Sequence, residues 1–150
     1  MYKREYPPIF DAGFKEIMLW QLDGLFLDGF FDNGHRKYLI DRFKVFVEEF
    51  QKLNISAEIW LDGSFTTLKP EPKDIDVVFV LANKDVDSLD SIKSAIFESL
   101  LINRDEVLVK YGLDVYFIPS DNGYEKDKWI QTYGYDANKI NTKGIFKIVL

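Results

Sequence analysis

The chain has 150 residues, 47% of them hydrophobic and 16% aromatic, with a formal net charge of −6. That length and apolar share suit one packed domain and exclude wholesale disorder. The acidic balance argues against a broad nucleic-acid footprint, which needs clustered Lys and Arg, and the absence of Cys excludes disulfides, thiolate metal sites and a Cys nucleophile.

Residues 1–13 read as an extended lead, because Pro7 and Pro8 resist helix. Met1 to Pro8 is charged and has no apolar h-region, so no signal peptide is expected there. Asp11 can cap a short helix carrying Phe14, Ile17 and Met18. Asp23 to Gly34 reads as a loop rich in Gly and Asp. Residues 35–53 carry Leu39, Phe43, Phe46, Phe50 and Leu53 at spacings of four and three, the stripe of an amphipathic helix, and Asn54 stops it. Ile55 to Leu61 is a short strand. Ile75 to Leu81 is a second strand, apolar nearly throughout, as a strand buried on both faces should be. Val77 to Ala82, the longest apolar run, is far too short to span a bilayer, so the expected location is the cytoplasm.

Ser88 to Leu101 follows as a helix, with Leu89, Ile92, Ile96 and Leu100 inward. Glu106 to Lys110 and Leu113 to Ile118 read as strands turning near Gly112, and Pro119 ends the second. Glu125 to Tyr133 is a helix and Ile145 to Val149 a final strand. This order predicts a single α/β (α+β) domain over 1–150 with a mixed sheet flanked by helices: 1–54 supplies the lead and helices, and 55–150 the sheet core with the active site.

The chemistry is concentrated in Trp60-Leu-Asp-Gly-Ser-Phe-Thr-Thr-Leu-Lys-Pro-Glu-Pro-Lys-Asp-Ile-Asp76. A strand ends in Gly63-Ser64, a polar proline-rich loop follows, and a second strand opens with Asp74-Ile75-Asp76. Side chains alternate along a strand, so Asp74 and Asp76 share one face while Ile75, Val77 and Phe79 take the other. Two carboxylates roughly 7 Å apart along a strand can hold a divalent cation together, Mg²⁺ being the natural choice beside phosphate oxygens. Asp114, in the apolar run Leu113-Asp-Val-Tyr-Phe117, supplies a third. A lone Asp in such a strand is costly to bury unless paired or metal-bound. The three are expected to converge at the carboxyl side of one sheet face. Gly63 lets the backbone approach a phosphate, and Ser64 can donate to it. The Gly-x4-Gly-Lys-Ser/Thr spacing of a P-loop is absent.

Gly-Ser, nine intervening residues, Asp-x-Asp at a strand start and a later Asp on another apolar strand together resemble the DNA polymerase β-like nucleotidyltransferase superfamily, above all its minimal bacterial members. More narrowly, Leu61 to Asp76 looks like the Gly-Ser-Phe-x-Thr-x-Lys-Pro-Glu-Pro-x-Asp-Ile-Asp core of a small, mostly uncharacterised bacterial family. The likeness extends to His35-Arg36 and to Lys143-Gly-Ile. The resemblance implies a nucleotidyltransferase fold. It also implies Mg²⁺ (or Mn²⁺) on Asp74 and Asp76, with Asp114 helping to activate an acceptor hydroxyl. The implied reaction moves an NMP from an NTP to an acceptor, either protein, tRNA or small molecule, in a toxin–antitoxin or phage-defence setting. The competing expectation is a non-catalytic module of the same fold, an antitoxin or complex subunit that holds a partner through exposed aromatics.

Other residues carry two readings each. Lys69 and Lys73 can reach a triphosphate, or stand as solvated loop lysines. Arg104 can do the same, but the solvated reading is preferred. His35 at a helix start reads as a cap or surface residue rather than a base. Tyr116 shares the face of Asp114 and either stacks on a base or closes the floor of the cleft.

Overall fold

The computed structural model describes residues 6–136, 138–139 and 141–150. Among these residues five strands form one mixed sheet: β1 (Phe14–Glu16), β2 (Glu58–Asp62), β3 (Ile75–Leu81), β4 (Leu113–Pro119) and β5 (Ile145–Val149), in the order β1-β5-β2-β3-β4. β1 runs parallel to β5, and β3 parallel to β4, while β2 is antiparallel to both of its neighbours. Among the described residues six α-helices accompany them: α1 (Leu22–Phe26), α2 (Gly34–Gln51), α3 (Asn83–Asp87), α4 (Ser91–Phe97), α5 (Arg104–Tyr111) and α6 (Gly123–Tyr133).

The two sheet faces are unequal. Ile59, Leu61, Ile75, Val77, Phe79 and Val115 point to one side and join the main core with α2. Its stripe of Leu39, Phe43, Phe46 and Phe50 is fully buried, and Phe46 and Phe50 meet Phe79 with ring centroids 5.7 and 4.8 Å away. Each such ring contributes about 1.5–3 kcal/mol of burial. Trp60, Val78, Val80, Ile118 and Ile145 point to the other side. One helix, α6, covers that face through Trp129, Ile130 and Tyr133. Its cover stops short of one end of the strands, where the polar residues lie.

Four expectations are corrected. Phe14 to Met18 is not a helix: Phe14–Glu16 pairs with β5 at the sheet edge, and a 3-10 turn at Leu19–Gln21 follows. The segment before α2 therefore adds one short edge strand to the sheet. The segment from Asp23 opens in α1 rather than in a loop. The helix expected over 88–101 starts only at Ser91, where Asp90 caps α4 through the N–H of Lys93, and passes into a π-helical turn at Glu98–Ile102, while α3 precedes it at Asn83–Asp87. Glu106–Lys110 is helical, not extended. Val107 and Tyr111, one turn apart, face inward, and Tyr111 meets Phe46 edge-on at 5.2 Å. Gly112 ends that helix at φ 69°, donating to Leu108 O, so β4 enters parallel to β3 instead of returning in a hairpin. Among the described residues no helix is long and apolar enough to cross a membrane.

Candidate active site

Strand pairing places three carboxylates in a row. Asp62 on β2 is the register partner of Asp76 on β3, which is the register partner of Asp114 on β4. Adjacent strands lie about 4.8 Å apart, and paired residues project to the same face. Asp74 stands one pleat upstream of Asp76 on that face. The row occupies the amino ends of β3 and β4, not their carboxyl ends as expected, because β2 is antiparallel and leaves the sheet where β3 enters it.

Asp62 lies one residue beyond the predicted end of its strand at Leu61 and carries no motif that marks it. It is fully buried. Its Oδ1 accepts from Gly63 N–H at 2.7 Å and from the Thr66 hydroxyl at 3.4 Å, and pairs with Lys143 Nζ at 2.7 Å. Its Oδ2 is buried with no hydrogen-bond partner among the described residues. Lys143 Nζ also donates to Gly63 O at 2.9 Å, across 80 residues of sequence.

Gly63 turns the chain out of β2 at φ 80°, a conformation that L residues adopt rarely. A Cβ there would come within 2.5 Å of Asp76 Oδ2, so only glycine lets the turn pack against that carboxylate. Ser64–Thr66 then forms a 3-10 turn, and the loop runs on to β3.

Arg36 shapes that loop. Its side chain is fully buried on α2, and all five N–H groups are engaged. Nε donates to Lys69 O, Nη1 to Phe26 O and Phe65 O, and Nη2 to Thr67 O and Lys69 O, at 2.7–3.2 Å. The guanidinium lies 3.8 Å from the Phe30 ring centroid and 5.1 Å from that of Phe65. Burial pushes its pKa down to about 10, so it stays charged at neutral pH. Arg36 is thus a structural clamp on the loop, and His35, read as a cap or surface residue, is exposed.

Asp114 is held differently. Arg104 Nη2 donates to its Oδ1 at 2.7 Å, and the Tyr116 hydroxyl to its Oδ2 at 3.2 Å. Arg104, read as solvated, is thus a partner of the third carboxylate, and its guanidinium stacks 3.9 Å from the Tyr116 ring centroid. Tyr116 packs against Trp129 at 4.7 Å.

A cavity of about 450 Å³ opens over Gly63, Ser64, Asp74 and Asp76, with Lys69, Lys139 and Lys143 among its walls. Tyr133 and Tyr135 line its α6 side. Of the expected site residues, Gly63, Ser64, Lys69, Asp74 and Asp76 line it, while Lys73, Tyr116 and Asp114 do not. Burial raises the proton affinity of Asp74, and the charge of Asp114 adds to it against the opposing pull of Lys73 and Lys69. Burial likewise pushes up the Tyr133 phenol, reinforced by Asp76 and Asp62. Among the described residues, no three His, Asp or Glu side chains gather into a metal-holding group. Asp114 is committed to Arg104 and Tyr116, and Asp62 to Lys143 and Gly63.

A protein family described as a family of unknown function, DUF6932, matches residues 8–149. The chain belongs to this family. No curated protein and no solved structure matches it. The DUF6932 match spans every element just described, including β1 at one sheet edge and β5 with its Lys143 lead-in.

One electrostatic consequence concerns stability in this DUF6932 protein. Burial pushes the Asp62 carboxyl from its ordinary 3.8 up to about 7, with the charge of Asp76 adding to the effect and Lys143 and the Gly63 N–H opposing it. The folded protein therefore holds this proton at pH values where the unfolded chain has released it. Between about pH 4 and 7 the Asp62 contribution to stability falls as pH rises, and it is flat above that window. The whole drop is ~4 kcal/mol at most. Urea midpoints of metal-free wild type and Asp62→Asn should therefore shift against each other across this window, the wild type losing ground as pH climbs. Leaving Lys143 without its partner offsets the variant but does not tilt the difference. A pH-independent difference would remove Asp62 as the titrating group.

Proposed function

We propose that this protein is a Mg²⁺-dependent nucleotidyltransferase with a nucleotidyltransferase fold, moving an NMP from an NTP to an acceptor hydroxyl. The observation that carries this reading is the Gly63-Ser64 turn seated against Asp76, at a cavity that also takes in Asp74 and lysines from two segments. About 450 Å³ is within the range that accommodates a nucleotide-sized ligand.

The residues present fit the cation. Mg²⁺ is commonly held by one or two carboxylates and completed by water and substrate phosphates, so Asp74 and Asp76 suffice without a third ligand. Burial, and after it the charge of Asp114, raises the proton affinity of Asp74, and a cation bound there would offset both. Bound there, Mg²⁺ (or Mn²⁺) would neutralise phosphate charge as it develops in the transition state.

The chain's own groups do the rest. Ser64 and the amides of its turn donate to phosphate oxygens, and Lys69 adds charge. Asp114, once Arg104 turns from it, accepts the proton of the acceptor hydroxyl at Oδ1. The acceptor oxygen then bonds to the α-phosphorus while the bond from that phosphorus to the pyrophosphate oxygen breaks. The acceptor is a protein side chain, a tRNA end or a small molecule, and the resemblance to minimal bacterial members favours a toxin–antitoxin or phage-defence setting. A second reading is a partner-binding module without turnover. Trp20, Phe31 and Tyr124 favour it, being exposed by 77%, 108% and 77%.

Isothermal titration with each NTP, with and without Mg²⁺, followed by assay of pyrophosphate release in cell extract, separates the two. The enzyme reading expects Mg²⁺-dependent NTP binding and pyrophosphate. No Mg²⁺-dependent binding by the wild type would sink it.

A further inference from the structure

Lys143 lies at the end of the chain farthest from the Gly-Ser segment in sequence, yet its side chain reaches beneath the Gly63 turn and lines the cavity, 11% exposed. An ammonium group has three N–H donors. Two are engaged inside the protein, by Asp62 Oδ1 at 2.7 Å and Gly63 O at 2.9 Å. Those two acceptors fix the nitrogen from the protein side, so the remaining donor belongs to the cavity. The Asp62 carboxylate is buried completely and cannot itself meet a ligand. Its Oδ1 holds the Lys143 ammonium in place. Lysine is otherwise a flexible point charge that loses rotamer freedom on binding an anion. Here that freedom is already removed by the fold.

We infer that Lys143, preset by Asp62 and the Gly63 carbonyl, is a binding residue for the polyphosphate of the substrate. This rests on the nucleotide reading above and specifies which cation grips the anion. Lys143 differs from Lys69 and Lys139 in being almost wholly buried and paired on its inner side, which makes it the cation whose position is set before the ligand arrives. It also explains why Gly63 and the β5 lead-in are tied together: the same nitrogen that receives the phosphate holds the turn whose amides flank it.

The test uses sodium tripolyphosphate with Mg²⁺ as the probe, titrated into the full chain by calorimetry. Lys143→Met removes the donor but strands the Asp62 carboxylate, and so can unfold the protein. The Asp62→Asn, Lys143→Met double variant removes both charges together, keeps the net charge, and is expected to melt close to the wild type. The expected result is tripolyphosphate bound roughly ten- to a hundredfold more weakly by the double variant than by the wild type, with Lys44→Met, on the distant face of α2, unchanged. If Lys143 only props up the turn, the folded double variant binds like the wild type, and the inference is overturned while the nucleotide reading stands. If the wild type binds neither tripolyphosphate nor any NTP, both fall.

Discussion

Replacing Arg36 with Met should destabilise the protein by about 5 kcal/mol, a large part of the 5–15 kcal/mol that holds a typical domain together. Two effects oppose each other. Removing the guanidinium relieves a desolvation large enough to bring it from 12.5 to about 10, worth ~3 kcal/mol. Against that, four backbone carbonyls, of Phe26, Phe65, Thr67 and Lys69, lose the donors that satisfied them in the interior. Each costs about 1–3 kcal/mol when left unmade. The flat group stacked between Phe30 and Phe65 also leaves a space that Met fills poorly. The losses exceed the relief. Arg36→Lys keeps the charge but offers three donors without the planar fork, and should fall between the two. Thermal melts give the ranking. Because the lost carbonyls belong to the loop before β3, trypsin should also cut after Lys73 faster in either variant. A melt within about 2 °C of wild type for Arg36→Met would mean that the clamp is dispensable.

Arg36 also marks where sequence reasoning stops. The stripe of α2, the apolar run of β3 and the strands at 113 and 145 are legible because burial on a regular element imprints a period on the chain. The same parity placed Asp74 and Asp76 on one face before any fold was known. Parity also held the clue to Asp62, two residues after the buried Trp60, but ending β2 one residue early hid it. The partners of these groups leave no such imprint. Nothing local says that Arg36 caps a loop more than thirty residues away, that Lys143 reaches Gly63, or that Arg104 takes hold of Asp114. Such pairs follow from how elements pack, not from their spacing. The misread strand at Glu106–Lys110 has a related cause. Val107, Leu108 and Val109 form an apolar triplet with strand-like composition, but only Val107 is buried, and its fellow is Tyr111, one helical turn on.

Asp76→Asn should lower Mg²⁺-dependent turnover by about a thousandfold, the size expected when several kcal/mol of charge stabilisation is withdrawn from a transition state. It should leave the fold intact. Asp76 stands between Asp62 and Asp114 in the row, with Asp74 one pleat away. Its charge raises the proton affinity of buried Asp62, which is an energetic burden at neutral pH. Asn is nearly the same shape, still fits against Gly63, and removes that repulsion. The melting temperature of the metal-free variant should therefore equal or exceed that of the wild type, while added Mg²⁺ and NTP should raise the melting temperature of the wild type alone. This opposition is what separates a functional carboxylate from a structural one. A residue kept for packing loses stability when changed, whereas a residue kept for its charge gains stability and loses activity. Asp114→Ala gives the complementary signature. Its carboxylate belongs to Arg104 and Tyr116 rather than to the cavity, so NTP affinity should survive and turnover should not. Should Asp76→Asn melt well below the wild type and bind Mg²⁺-NTP unchanged, Asp76 would be a structural residue, and the partner-binding reading would take precedence.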